Sequence, residues 1–343
     1  MGQDSQEVHN CALENNTIGK KYFYFITLLR AFAAIIITNA HYTGIYPSDL
    51  IANGGLLGDV IFFSVSGFCL ANPKMSFGKW YAKRLWRIYA VVWVATLFFV
   101  IAGAWEVNSL SSVIKAFIHP TRYHFVASIT LLYIPLFFVA KYVTLDRRHY
   151  ILIALGLLAL QFLLYFTIYD KSYYHIDTVR EPFIEFLFFQ SMLLGLFYRI
   201  QCSKGVMTDP RTGGGRIYLW VILLVLIAIY FASKMLFVKK ASLSEFQIIN
   251  QIVLFVTLFF LFRCTYTLEA KLKSISGTKL WKVVTFLSDH TLEIYCVHYV
   301  LIGTMRDLGL SFPLNWLVLT SSILIAAALL RWVSQKLISV VKI

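Results

Sequence analysis

Apolar runs of membrane-crossing length recur from one end of the chain to the other, separated by short polar segments. A helical span of a bilayer needs about 20 residues. Ten runs of roughly that kind fall at 23–46, 56–72, 88–105, 123–141, 150–168, 182–198, 217–237, 246–262, 284–304 and 313–335. The second is short for a full crossing, so tilt, a kink or partial re-entry is expected there. The pattern predicts an all-α polytopic membrane protein with about ten transmembrane helices. Residues 1–19 form a polar N-terminal segment, and residues 20–343 one transmembrane domain. The longest polar insertion, 199–216, holds Pro210 and Gly213, Gly214 and Gly215, which mark a loop.

Composition agrees with this pattern. Of 343 residues, 59% are hydrophobic and 14% charged, against about 25% charged in soluble domains. The net charge of +14 first suggests nucleic acid. That reading is excluded because the basic residues lie between apolar runs, where membrane topology puts them. With the N-terminus inside, and with charges near the ends of runs, such as Lys234 and Arg331, counted with the adjacent segment, 22 of the 31 Lys and Arg fall on the inner side and 8 on the outer. The bias predicts both termini in the cytoplasm; Lys234, Lys239 and Lys240 run against it. Asp4, Glu7 and Glu14 in the polar start are unlike a cleavable signal, so the first span is expected to stay in place. Cys11, Cys69, Cys202, Cys264 and Cys296 have no metal-like spacing and are expected to be apolar fillers.

Ionisable residues inside an apolar run are costly and therefore functional candidates. Arg30 and His41 share the first run, eleven residues apart. On a helix that is about three turns plus 20°, so both face one side, roughly 16 Å apart along the axis. The topology puts Arg30 in the inner half and His41 near the outer end. Asp59 opens the second run from the outer side, at a depth close to His41. A carboxylate beside an imidazole fixes its tautomer and stabilises the imidazolium, as a general base requires; the alternative is a helix cap. Ser66 and Gly67 suit close helix packing better than nucleophilic chemistry. On the inner side, Arg84 and Arg87 are three apart and share a helix face, with Lys83 adjacent. Such a group can bind phosphate bidentately, or simply anchor the chain at the inner interface.

Four ordered motifs carry a resemblance. Leu29-Arg30-Ala31-Phe32 followed by His41 is similar to an Arg-x10-His signature, and Gly58-Asp59-Val60-Ile61-Phe62-Phe63 through Ser66-Gly67-Phe68 to G-D-x-F-F-x-x-S-G-F. Lys83-Arg84-x-x-Arg87-Ile88-Tyr89 resembles a basic motif opening the third span, and Ile294-Tyr295-Cys296-Val297-His298 a late I-Y-x-x-H element. Together they resemble the acyltransferase-3 family of integral membrane acyltransferases, many of which acetylate bacterial surface polysaccharides. The resemblance implies a membrane O-acyltransferase of the bacterial cytoplasmic (inner) membrane. It would move an acetyl group from cytoplasmic acetyl-CoA to a hydroxyl of a surface polysaccharide or its lipid-linked precursor. Arg84, Arg87 and Lys83 would hold the CoA phosphates. Arg30 would line the donor path or polarise the acyl carbonyl. His41 would be the general base and Asp59 would orient it. Membrane lipids and a glycan or lipid-linked glycan are the implied partners. No nucleic acid and no metal are expected.

The chain departs from the family in the fourth run. Where many members carry Trp-Ser-Leu followed by Glu, this chain has Tyr123-His124-Phe125-Val126-Ala127-Ser128. His124 enters from the outer side at the depth of His41 and Asp59, and is a possible acceptor-side or interfacial residue. Glu185 opens the sixth run, Asp289 and Glu293 lie in the ninth, and His298 is further out. Glu185, Glu293 and His298 are possible acceptor or secondary-site residues, with interhelical hydrogen bonding the alternative. A transporter or flippase of lipid-linked glycans would share ten spans, buried charge and a 17% aromatic content. Such proteins often show inverted repeats and paired broken helices, and neither is visible in this chain.

Overall fold

The computed structural model describes residues 22–143, 145–178, 182–205 and 213–340. Among them every regular element is helical: α1 Tyr24–Ala40, α2 Gly55–Cys69, α3 Phe77–Ile101, α4 Leu110–Val113, α5 His124–Tyr142, α6 Arg147–Thr167, α7 Ile184–Ser203, α8 Gly213–Lys239, α9 Ile248–Tyr266, α10 Glu269–Ser274, α11 Lys279–Asp289, α12 Thr291–Asp307 and α13 Leu314–Val340. Nine of the ten apolar runs each fall mainly on one helix, and the ninth in chain order falls on two. Six helices (α3, α5, α6, α8, α9 and α13) are long and apolar enough to cross a membrane. The apolar helices α1 and α2 are shorter, at 17 and 15 residues. The chain is therefore a multi-pass membrane protein.

Three boundaries differ from the sequence expectation. The helix of the first run ends at Ala40, short of residue 46. Residues 77–87, expected in an inner loop, are the first three turns of α3. Lys, Arg, Ala and Leu are good helix formers, so the span continues into the basic segment. The ninth run is divided at His290 into α11 and α12.

The chain gathers into two compact units. The first holds Val60–Lys74 and Pro135–Lys282 with the start of the chain up to Leu29. In it α8 packs on α9, and α7 on α6 and α9. The Ser66-Gly67 region of α2 meets α7 almost backbone to backbone. A Cβ on Gly67 would stand 2.0 Å from the Met192 carbonyl oxygen, and one on Gly195 1.7 Å from that of Ser64. The Ser64 hydroxyl donates to the Ser191 carbonyl at 2.7 Å. Small residues at membrane helix contacts permit this approach, which fits the packing alternative for Ser66 and Gly67. Buried amides satisfy one another nearby: Gln161 Nε2 donates to Gln251 Oε1 at 2.7 Å and Gln190 Nε2 to Gln161 Oε1 at 3.2 Å. The Glu269 carboxylate accepts from the Tyr24 and Phe25 N–H groups, capping α1. Cys202, Cys264 and Cys296 are buried free thiols, as expected of fillers; Cys11 lies outside the described residues.

The second unit holds Arg30–Asp59, Met75–Ile134 and Val283–Ile343. In it α12 packs on α13 and α3, and α13 on α3. Its core includes Ala34, Val92, Ala95, Val126, Ile294, Cys296, Leu319 and Ala327. This unit carries every sequence-predicted site residue except Glu185, which lies in the first turn of α7 in the other unit.

Candidate functional site

Helix α1 ends at Ala40, so His41 lies in the turn just beyond the helix rather than within it. Side chains build that turn. Asn39 Nδ2 donates to the carbonyls of Ile51 at 2.8 Å and Asn53 at 3.2 Å, and the Tyr46 hydroxyl donates to Asn39 Oδ1 at 2.7 Å. Gly44 takes φ +78°, a left-handed conformation open to glycine, and its N–H donates to Asp49 Oδ1 at 2.8 Å. From α13, Asn315 Nδ2 donates to the Ile45 carbonyl at 2.9 Å, and the Tyr42 and Thr320 hydroxyls are 3.1 Å apart. From α12, Arg306 Nη2 donates to the Thr43 carbonyl and, at 3.5 Å, to that of His41. The turn is thereby held by its backbone from two helices, while the His41 ring stays exposed.

Two rings of α12 stand beside it. The His298 centroid is 4.8 Å and the Tyr299 centroid 6.0 Å from that of His41. His298 is 2% exposed, with Nδ1 3.2 Å from the Ile294 carbonyl oxygen. A carbonyl oxygen only accepts, so Nδ1 carries the proton and Nε2 the lone pair. Nε2 is buried and has no hydrogen-bond partner among the described residues. The His41 ring has an open edge, but most of its neighbourhood is protein. That burial, and after it the Arg306 guanidinium, hold its imidazole below the usual histidine value. His41 is therefore neutral near pH 7, the form that accepts a proton.

The expected His41–Asp59 pair does not form: among the described residues neither a hydrogen bond nor an ion pair joins them, and Asp59 does not act on the His41 charge. The reason is packing. A Cβ on Gly58 would come within 2.5 Å of Ile37 Cγ1 and 3.2 Å of the Ala33 carbonyl oxygen. Gly58 thus docks α2 against the middle of α1, and buried Asp59 follows it at a level below the His41 turn. Asp59 lies instead within electrostatic reach of Tyr295. The Tyr295 hydroxyl also accepts from the Phe125 N–H at 3.3 Å, which places His124, the first residue of α5, beside it.

Arg30 lies lower on α1. Asp289 and Glu293 are within electrostatic reach of both Arg30 and Arg331. Arg331 is buried in α13, Glu293 in α12. Two cations and two acids balance, the arrangement that makes charge tolerable in a membrane interior. Arg30 and then His41 meet Glu293 and then His298, so α1 and α12 run in the same direction. Lys83, Arg84 and Arg87 lie on the first turns of α3, with the Arg84 guanidinium 6.0 Å from the Trp80 ring.

The segment from Glu293 through the I-Y-x-x-H element is thus a hub. Glu293 reaches Arg30, Tyr295 reaches Asp59 and the start of α5, and His298 reaches His41. Sequence reasoning missed Arg331 and Arg306. Arg331 sits within the last apolar run, so the cost of intramembrane charge that singled out Arg30 also marks it. Arg306 lies at the end of α12 and had no such mark. Among the described residues no three His, Cys, Asp or Glu side chains group as a metal site.

These features define a multi-pass, all-helical membrane protein with an exposed, neutral histidine fixed at the end of an apolar helix and a balanced charge cluster below it. A family model described as "Acyltransferase domain" (Acyl_transf_3) matches residues 23–332. The chain belongs to the acyltransferase-3 family of membrane acyltransferases. No curated protein and no solved structure shows a significant match.

Proposed function

We propose that the protein transfers an acetyl group from cytoplasmic acetyl-CoA to a hydroxyl of a surface polysaccharide or its lipid-linked precursor, in the bacterial cytoplasmic membrane. The observation that carries this reading is the exposed, neutral His41, held by Arg306 and flanked by His298. A ring nitrogen of His41 removes the acceptor hydroxyl proton as the oxygen attacks the thioester carbon. The C–O bond forms, the tetrahedral intermediate collapses, and the C–S bond breaks. The thiolate of CoA takes its proton back from the imidazolium. The imidazole needs no carboxylate partner in this scheme; His298, with its Nε2 lone pair, supports the imidazolium instead.

Lys83, Arg84 and Arg87 hold the donor phosphates. Arg30, beside Asp289 and Glu293, lines the path of the donor, roughly 16 Å along the helix axis from His41. Asp59, through Tyr295, and His124 line the acceptor side. About ten spans with both termini in the cytoplasm place the two substrates on opposite faces. The helices α1, α2 and α7 and the α11–α12 pair supply the spans beyond the six that are long and apolar throughout.

Purified protein in lipid nanodiscs, given radiolabelled acetyl-CoA and glycan from the same cells, tests the donor arm. Arg84→Ala is expected to raise the KM for acetyl-CoA with little change in kcat, the pattern of lost ground-state binding. An unchanged KM returns the basic segment to membrane anchoring.

A further inference from the structure

Beyond His41, the outer part of α12 presents an exposed face. Tyr299, Gly303 and Arg306 follow one another at four and three residues, so they share one side of the helix. Their neighbours Ile302 and Met305 point into the core. Tyr299 is 69% exposed. Gly303 leaves a gap between the two larger side chains, and a Cβ added there would meet nothing within 4 Å among the described residues. Arg306 is exposed and commits Nη2 to the His41 turn. A guanidinium has five N–H donors, so others remain for a ligand. The His41 ring borders this face through Tyr299, at 6.0 Å and 86° between planes. The buried His298 ring stands 4.8 Å from that of His41, its Nε2 without a partner among the described residues.

We infer that the Tyr299–Gly303–Arg306 face is the acceptor subsite, and that its ligand is a pyranose ring of the glycan; the inference rests on the acyl-transfer reading above. One face of a pyranose is a patch of C–H groups, which packs on an aromatic ring, while its hydroxyls need donors and acceptors at the rim. Tyr299 supplies the ring and Arg306 the donors. Gly303 supplies the absence of a side chain where the sugar must lie. A hydroxyl of a ring seated there faces His41. Arg306 thereby couples two tasks, fixing the base and holding the acceptor.

The test uses the full-length protein expressed in its own host lacking the chromosomal copy. Acetate on the surface polysaccharide is measured by mass spectrometry, alongside acetyl-CoA affinity and thermal unfolding of the purified proteins in nanodiscs. Gly303→Leu fills the gap in open space, so the fold has no reason to suffer. It and Tyr299→Ala are expected to lower glycan acetate on the order of tenfold or more, while the Kd for acetyl-CoA and the unfolding temperature stay at wild type. Wild-type acetate in both variants overturns the subsite and makes this a lipid-facing surface. Loss of acetate accompanied by equal loss of acetyl-CoA binding overturns its assignment to the acceptor. His41→Ala is the control: wild-type acetate in that variant removes the reaction itself, an outcome distinct from failure of the subsite alone.

Discussion

Arg306 acts on His41 in two separable ways, by holding its turn and by its charge. The guanidinium lowers the imidazole pKa. A general base works in its neutral form, so kcat/KM rises as pH climbs through that pKa. Arg306→Ala removes the cation, raises the pKa, and is expected to move the rising limb of the kcat/KM–pH profile to higher pH. Arg306→Lys keeps a charge but not the fork that reaches two carbonyls. It should leave the limb near its wild-type position while kcat falls. Profiles of the three proteins between pH 5 and pH 9 separate the two roles. The deeper charges obey a different logic. Arg331 balances Asp289 and Glu293 where water is scarce, and removing one partner of a buried charge group costs about 3–5 kcal/mol. Arg331→Met is expected to lower the unfolding temperature in detergent clearly; an unchanged temperature would mean the acids have sufficient support from Arg30. These contacts mark the limit of what sequence discloses. Arg30 and His41 were legible as costly polar groups in an apolar run. The identity of their neighbours was not, because Glu293, His298 and Arg306 arrive from more than 250 positions away and only packing pairs them. The His41–Asp59 pair was argued from shared depth, and the close approach of Gly58 to Ile37 sets Asp59 at another level.

Helix positions were more legible than helix ends. Hydrophobic runs located the helices, six of them long and apolar enough to cross a membrane, because length and apolarity are what a bilayer selects. They could not see that α3 begins in the basic segment at Phe77, since a hydropathy pattern falls off at Lys83, Arg84 and Arg87 while helix propensity does not. Nor could they see the end of α1, where Asn39 and Gly44 turn the chain. The contact between α2 and α7 was only half visible, in Ser66-Gly67; its partner Gly195 carries no motif. With a Cβ at either glycine falling 1.7–2.0 Å from a carbonyl oxygen, the helices must separate to admit even alanine. Gly195→Ala is therefore expected to cost about 3 kcal/mol or more, at the upper end of overpacking effects. Thermal unfolding against wild type measures it. A neutral result would mean that the two helices part without penalty.

At the scale of the molecule, chemistry and topology depend on each other. The proposed donor residues lie at the start of α3 and the proposed base lies beyond the end of α1. The proposed orientation, derived from the distribution of Lys and Arg, puts these on opposite sides of the membrane. Single cysteines introduced at Arg148 and at Asp170, in the background of a functional variant with no accessible thiol, report it directly. The first should react with a membrane-impermeant maleimide only after permeabilisation of the cytoplasmic membrane, the second in intact cells with a permeable outer layer. The reverse pattern would put His41 on the same side as cytoplasmic processes and remove the case for a surface acceptor. The central claim, that acyl transfer to a hydroxyl is driven by His41, is tested most directly by transfer from radiolabelled acetyl-CoA to glycan in nanodiscs containing wild type or His41→Ala. The account predicts label in the glycan with wild type and about 10²–10⁴-fold slower labelling with His41→Ala, at equal acetyl-CoA binding. Equal labelling by the two proteins would contradict it.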